Sequence, residues 1–274
     1  MQLALAQLSG REGDIAGNLE KALAALEQVP GGTALTVFPE THLSGFAEST
    51  PLEARALRLD GPELERLADA ARQRDMAIAI GLIERSGERF FNTTVLLTPE
   101  RGVALHYRKT HLWPDERDFL SPGDRLSCIR WRGLNIGLLI CYDIEFPEPA
   151  RALAALGADL LVVTNGNMDP YGPVHARASA ARAQENQCFL VMANRAGRGA
   201  GLEFAGESAL LDPYGETLFR AGREECVSLH TIDLEALQGA RLAYDYRRDS
   251  RIRLQGRRSE RDGVRSLVID PTHG

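Results

Sequence analysis

Short apolar runs alternate with segments of helical periodicity along this chain, and the alternation constrains its fold more than any other feature of the sequence. Strands of α/β proteins are short apolar runs, whereas amphipathic helices repeat apolar residues roughly every three to four positions. The first third of the chain predicts a helix behind the N-cap Asp14, together with strand 3–8, strand 34–38, helix 62–74 and strand 76–83. The chain therefore begins as β-α-β-α-β.

The rhythm changes in the middle of the chain. Strands predicted at 89–97 and 103–108 are separated only by the turn at 99–102, which indicates an antiparallel hairpin. The run 134–140 is almost continuously apolar, as in a strand covered on both faces. The elements predicted after it are helix 147–156, strand 159–164, helix 174–186, strand 189–193 and a hairpin around 212–215. The sequence thus predicts an α/β fold with mixed sheets.

Charge is unevenly distributed along the 274 residues. The formal net charge is −6, but residues 241–265 contain nine Arg against four acidic residues, which is a local charge of +5. A chain that is acidic overall is not expected to bind nucleic acid over its whole surface. We interpret 1–240 as one domain and 241–274 as an Arg-rich arm of it. The arm is predicted to lie on an acidic body or a subunit partner, and RNA binding is the alternative.

Cysteine usage and apolar run lengths indicate a compartment. The four cysteines form no C-x-x-C pair and are too sparse for a disulfide scaffold, which favours a reducing, cytoplasmic location. The N-terminal segment lacks the features of a signal peptide, and no run reaches the roughly 18 apolar residues of a membrane-spanning helix. The tripeptide at 92–94 therefore matches the glycosylation pattern by chance. No His, Cys and carboxylate grouping has zinc spacing, so no metal is expected.

Cys141 is the first candidate for chemistry. It follows the buried run 134–140 and precedes a helix that begins at Pro147, a position where open α/β sheets hold reactive groups. A helix N-terminus would favour the thiolate form of this side chain. On position alone, the alternative is an inert core residue.

A cysteine nucleophile needs a base, because an unperturbed thiol is only a few per cent thiolate near neutral pH. The six histidines are scattered without a recognisable spacing. Glu40 and Lys109, in contrast, each stand at the end of a predicted strand. A carboxylate there could transfer the proton and an ammonium could stabilise an oxyanion. The alternative is that both are solvated loop charges.

Taken with their neighbours, these positions resemble the carbon-nitrogen hydrolase (nitrilase) family, in which a Glu, a Lys and a Cys follow three strand ends in this order. The matching segments are FPET with Glu40, YRKTHLW with Lys109 and GLLICYDIEFPE with Cys141. Glu116 in ERDFLSPGD resembles the second glutamate of the family. The later segments RAQENQ, AGES and DPYGE also match, so the resemblance covers about residues 2–250.

The resemblance implies a four-layer α-β-β-α sandwich that assembles into homodimers or larger oligomers through helices and the C-terminal arm. It also implies that Glu40 takes the thiol proton of Cys141, and that Lys109 and the backbone N–H of Tyr142 bind the oxyanion. Glu116 would hold Lys109 or the hydrolytic water. The implied mechanism uses neither a metal nor an organic cofactor.

The residues around Cys141 are similar to the amidase branch of the family. CYDIEFPE, Asn167 with Met168, and ARAQENQC resemble 5-aminopentanamidase-type aliphatic amidases. Members that act on anionic ω-amides often have Arg where Glu145 stands, so this carboxylate suits a neutral or cationic substrate tail. We therefore predict hydrolysis of a small aliphatic carboxamide, with Tyr142, Glu145 and Asn167 at the substrate. Glu145 could instead form a structural pair with an arginine.

Several other functions stay open from sequence alone. An ω-amidase for anionic amides and an N-carbamoyl amine amidohydrolase belong to the same family. A catalytically idle interaction scaffold is a different class, and the intact set of Glu40, Lys109, Glu116 and Cys141 argues against it. An RNA-binding arm would retain RNA in a strongly salt-dependent way.

Overall fold

The computed structural model describes residues 1–46, 51–252 and 254–269 and contains two large β-sheets. The strands are β1 (Gln2–Gln7), β2 (Leu35–Val37), β3 (Ala77–Ser86), β4 (Arg89–Thr98), β5 (Gly102–Arg108), β6 (Arg125–Trp131), β7 (Leu134–Ile140), β8 (Leu160–Asn165), β9 (Phe189–Asn194), β10 (Arg198–Gly199), β11 (Leu202–Glu203), β12 (Ala209–Leu211), β13 (Thr217–Arg220), β14 (Cys226–Thr231), β15 (Arg257–Arg261) and β16 (Val264–Val268). The helices are α1 (Ile15–Glu27), α2 (Leu52–Arg55), α3 (Pro62–Arg74), α4 (Pro147–Ala155), α5 (Gly172–Asn186), α6 (Glu235–Leu242) and α7 (Tyr246–Asp249), with short 3₁₀ helices at Pro114–Glu116 and Cys141–Glu145.

Local sequence explains where several of these elements begin. The carboxylate of Asp14 accepts a hydrogen bond of 3.0 Å from the backbone N–H of Gly17, so it caps α1 as predicted. Helices α3 and α4 each begin with proline, whose missing N–H costs nothing at a first helical position. Strands β4 and β5 pair antiparallel, which confirms the predicted hairpin.

Both sheets are mixed. The first has the order β14-β1-β2-β3-β4-β5, with β1, β2 and β3 parallel to one another. The second has the order β13-β12-β9-β8-β7-β6-β16-β15, with β7, β8 and β9 parallel. In each sheet, the parallel centre carries antiparallel strands on both sides.

The two sheets pack face to face, and helices cover their outer faces. In β1, Leu3 and Leu5 belong to the core between the sheets, whereas Ala4 and Ala6 pack with α1 and α3. This alternation follows from the two-residue period of a strand. Helices α4 and α5 pack on the second sheet. The predicted α/β class and the α-β-β-α order of layers are thereby confirmed.

Two strands after residue 240 belong to the second sheet. Strand β16 pairs with β6, and β15 pairs with β16. The sequence analysis missed both strands, because β15 is exposed along its whole length and shows no apolar alternation. Arg241 and Arg247 contact the carboxylate of Asp159, so these two arginines lie on an acidic residue of the body. Helix α6 crosses the predicted boundary at 240, and the division into domain and arm stays a prediction.

Within the described ranges, none of the helices is both long and apolar enough to cross a membrane.

Candidate active site

Three strand ends bring the predicted side chains together where the two sheets meet. Glu40 lies three residues beyond β2, and Lys109 follows β5 directly, so both come from the first sheet. Cys141 follows β7 in the second sheet. The backbone N–H of Glu40 donates to the carbonyl of Asn165 at the end of β8, a bond of 3.2 Å that joins the sheets beside the site. All of these side chains open onto one cavity.

Lys109 lies between two carboxylates. Its Nζ donates to Oε1 of Glu40 and to Oε2 of Glu116, each at 2.8 Å. Oε2 of Glu116 also accepts the backbone N–H of Trp113 at 2.8 Å, which fixes the carboxylate on the 3₁₀ helix Pro114–Glu116. The three charged side chains are buried. The cluster therefore combines two carboxyl groups with one amino group in a space largely closed to water.

Asn92 on β4 completes this cluster, and the sequence analysis missed it. Its Nδ2 donates to Oε1 of Glu40 and to Oε1 of Glu116, each at 2.7 Å. From sequence, Asn92 stood out only as part of a chance glycosylation pattern. The usable signal was its place on β4, directly before Thr93, which pairs with Arg108, the residue before Lys109.

One oxygen of Glu40 remains free. Oε1 is occupied by Lys109 and Asn92, whereas Oε2 is buried and has no hydrogen-bond partner among the described residues. A side chain at position 166 would occupy this space, because a Cβ on Gly166 would lie 2.6 Å from Oε2. Glycine thus leaves room beside the one oxygen that can accept a proton.

The resting protonation of the site follows from burial. Burial and the neighbouring Glu40 carboxylate raise the pKa of Cys141 well above its ordinary value, despite the opposing Lys109 charge. The expectation that a helix N-terminus favours the thiolate is therefore wrong for the resting site. Burial also raises the pKa of Glu40. For Lys109, burial is outweighed by Glu116 and Glu40, which raise its pKa and keep it charged.

The turn that carries Cys141 is strained and tightly supported. Cys141 has φ of 43°, in the left-handed region that costs a non-glycine residue of order 1–3 kcal/mol. Buried Asp143 holds the turn: its carboxylate accepts from Tyr107 Oη at 2.8 Å, Thr110 Oγ1 at 2.8 Å and the N–H of His111 at 2.9 Å. These partners flank Lys109, so Asp143 fixes Lys109 relative to Cys141. The sequence analysis did not single out Asp143.

The cavity in front of Cys141 has a volume of about 320 Å³. Trp113 forms much of an aromatic wall, with its ring 5.2 Å from that of Tyr142 and 5.5 Å from that of Tyr171. Cys141 is 9% exposed at the base of this space. A small molecule with an apolar body fits a cavity of this size and lining.

The three residues predicted to contact the substrate, Tyr142, Glu145 and Asn167, all line the cavity. The backbone N–H of Asn167 donates to Oδ1 of Asn194 at 2.8 Å, which anchors this part of the wall. Glu145 lies 3.1 Å from Nε2 of His175. The suggested arginine pair is therefore replaced by a histidine, and Arg182 instead donates to the backbone carbonyl of Glu145.

Carboxylates dominate the charge around the cavity. Asp115, Glu145 and Asp169 line it in addition to Glu40 and Glu116. Asp169 is paired with Arg223, whereas Asp115 forms no ion pair within the described residues. Across those same ranges, no group of three or more His, Cys, Asp or Glu side chains is arranged to hold a metal ion.

Comparison with known proteins agrees with this geometry. The model of the carbon-nitrogen hydrolase family matches residues 2–242. The chain is 54% identical over 271 residues to an (R)-stereoselective amidase from Pseudomonas sp., covering 98% of each protein.

Two solved structures share the fold. XC1258 from Xanthomonas campestris, a CN-hydrolase superfamily protein with an arsenic adduct in its active site, is 29% identical, with a TM-score of 0.87 over 93% of this chain and 99% of that chain. A Glu-to-Gln mutant of the amidase from Nesterenkonia sp. AN1 is 30% identical, with a TM-score of 0.80 over 92% of this chain and 94% of that chain. That mutant carries the acetamide moiety of fluoroacetamide, added covalently at its active-site cysteine.

Proposed function

The chain belongs to the carbon-nitrogen hydrolase family and hydrolyses amides through an active-site cysteine, and on this basis we propose that Cys141 is that cysteine. We propose further that the substrate is a small aliphatic carboxamide with a neutral or cationic tail, which is converted to the acid and ammonia. The observation that carries the catalytic assignment is the free Oε2 of Glu40, whose other oxygen, Oε1, is held by Lys109 and Asn92 in the cavity that Glu40 shares with Cys141.

Acylation uses the proton of the resting thiol. Oε2 of Glu40 takes this proton as the sulfur of Cys141 bonds to the carbonyl carbon, and the carbonyl oxygen becomes an oxyanion. Lys109 and the backbone N–H of Tyr142 bind the oxyanion, because Tyr142 lies in a first helical turn, where N–H groups have no acceptor within the helix. The carbon–nitrogen bond then breaks, and protonated Glu40 gives its proton to the leaving nitrogen, which departs as ammonia.

Deacylation uses the same residues, with water in place of the thiol as the attacking group. Glu40 takes a proton from water, and the resulting hydroxyl attacks the thioester carbon on Cys141. When the carbon–sulfur bond breaks, Glu40 returns the proton to sulfur and the carboxylic acid leaves. Glu116 holds Lys109 in place through both acyl transfers. The cycle needs no oxidant, metal or cofactor.

The charge lining the cavity supports the proposed substrate class. The single Lys or Arg among the described lining residues is Lys109, which Glu40 and Glu116 already bind. An anionic tail would therefore meet Asp115 and Glu145 without a free cation to receive it. An ammonium tail would meet those carboxylates and the aromatic wall, both of which attract cations.

We expect 5-aminopentanamide to be hydrolysed with at least about tenfold higher kcat/KM than 2-oxoglutaramate, because one unit charge changes sign beside Asp115 and Glu145. Ammonia release across both amides and the neutral isostere hexanamide measures the effect. Glu145→Gln and Asp115→Asn should each reduce the advantage of 5-aminopentanamide over hexanamide. Asp118→Asn, in an exposed residue outside the lining, is the matched control. Preference for 2-oxoglutaramate would instead identify an ω-amidase.

Two further substrates test the N-carbamoyl amidohydrolase alternative and the stereochemical preference. An N-carbamoyl amine that is hydrolysed faster than every amide would favour the amidohydrolase alternative. A racemic α-substituted amide tests stereochemistry, and the likeness to an (R)-stereoselective amidase supports preference for the R enantiomer.

We also propose that the chain forms a homodimer or larger oligomer through the segment after residue 240. Leu242 and Ile252 are 89% and 87% exposed there, and large apolar side chains left in water favour association. Leu242→Glu should lower the molar mass measured by light scattering, because it places a charge in the contact. Leu218→Glu, at an exposed leucine of β13, is the control. A monomeric wild type would contradict the proposal.

A further inference from the structure

Asn92 is the neutral member of the cluster around Lys109, and its contacts go beyond those of a packing residue. Its side chain is 1% exposed, and its Nδ2 donates to both Glu40 and Glu116. Its backbone carbonyl accepts the N–H of Lys109 at 2.8 Å. One residue of β4 thus contacts all three charged members of the cluster.

We propose that Asn92 is a positioning residue for amide hydrolysis: it orients Glu40 so that Oε2 alone faces the thiol, and its hydrogen bond favours the carboxylate form of Glu40. The inference rests on the proposed roles of Glu40 and Lys109.

Hydrogen-bond counting supports the orienting role. A carboxylate rotates unless its oxygens are distinguished by their partners. Oε1 of Glu40 accepts from both Lys109 and Asn92, and this pair of donors leaves Oε2 as the oxygen with free lone pairs. Without the amide donor, one bond to Lys109 would hold the carboxylate, and its free oxygen would no longer be fixed.

The number of donors on Lys109 determines whether one is left for the oxyanion. An ammonium has three N–H donors, and Lys109 uses two of them on Glu40 and Glu116. Asn92 occupies Oε1 of Glu116, which would otherwise compete for the third donor. Asn92 therefore leaves one N–H of Lys109 available for the developing negative charge.

Hydrogen bonds to Glu40 help to keep its buried carboxylate ionised. Two buried carboxylates share a single ammonium, so hydrogen bonds to the charged forms are needed to offset burial and mutual repulsion. The bond from Asn92 lowers the pKa of Glu40, against the larger effect of burial. Removing this donor should make Glu40 take up its proton at higher pH.

Asn92→Leu, which has nearly the same shape without the donor, tests this directly. We expect kcat/KM at neutral pH to fall at least about tenfold, and the acidic limb of its pH profile to move to higher pH by about one unit. Thr94→Val is the matched control, since it removes the buried bond between Thr94 and Thr164 two residues along the same strand. The control should lower the melting temperature and leave the pH profile unchanged.

Asn92→Asp is a second test, in which an added change of activity with pH should run in the opposite direction. A protonated Asp has one O–H to donate, whereas an ionised Asp adds a third carboxylate beside one ammonium. We therefore expect this variant to lose activity as pH rises, in addition to the loss at low pH that protonation of Glu40 causes. It keeps the proposal testable should Asn92→Leu fail to fold.

A wild-type pH profile in both variants, whether or not kcat falls, would overturn the positioning role and leave Asn92 as a structural residue. This result is distinct from a failure of the proposed function. If Cys141→Ala remained active, the catalytic assignment itself would be wrong, whatever the pH profiles of the Asn92 variants.

Discussion

Cys141→Ala is expected to lower amide hydrolysis by at least about 10⁴-fold, because removing a covalent nucleophile leaves only binding and oxyanion stabilisation. The fold should survive, since the substitution removes one sulfur atom at the base of a cavity. Ammonia release under substrate saturation measures the loss. Circular dichroism and thermal melting establish that the variant is folded.

Cys226→Ala is the matched control, because Cys226 is partly exposed on β14 and lies outside the cavity. It should retain wild-type rates. Intact-mass spectrometry of the wild type during turnover should detect an acyl adduct, and peptide mapping should locate it on Cys141. An adduct on another cysteine, or undiminished turnover by Cys141→Ala, would contradict the assignment.

Glu40→Gln is expected to lower kcat/KM by about 10²- to 10⁴-fold, the usual contribution of a general base. Glutamine keeps the shape of the side chain but cannot take the thiol proton. The resting thiol cannot compensate, because burial raises the pKa of Cys141 and the substitution leaves the thiol buried. Rapid-quench measurement of the thioester should show that acylation itself has slowed.

The pH dependence of kcat/KM also tests the role of Glu40. Glu40 must be ionised to act as a base, and burial raises its pKa above the ordinary glutamate value of 4.5. Wild-type kcat/KM should therefore fall as pH drops, with a midpoint above 4.5, and Glu40→Gln should lose this acidic limb. Glu84→Gln is the control, since buried Glu84 binds Arg108 and lies outside the cavity. An unchanged limb in Glu40→Gln would point to another base.

The sequence by itself predicted much of the fold, because much of it is specified locally. Strand β7 is an almost continuously apolar run, and helices α3 and α4 begin at prolines, so these elements can be predicted without knowing their distant partners. Glu40, Lys109 and Cys141 were likewise visible, since each follows the end of a predicted strand, and Glu116 was identified by the resemblance to the family. The four do meet at one cavity. Strand β15 escaped notice because pairing alone defines it.

Tertiary structure alone decided the protonation and the partners within the site. The local pattern favoured a thiolate at Cys141, but the meeting of two sheets buries the thiol beside Glu40 and raises its pKa. The donors of Asn92 reach Glu40 and Glu116 across distances in sequence that no periodicity encodes. The contact of Glu145 with His175, rather than with an arginine, likewise joins residues that are distant in sequence. Burial and hydrogen-bond partners depend on contacts between distant segments, and those exist only once the layers have packed.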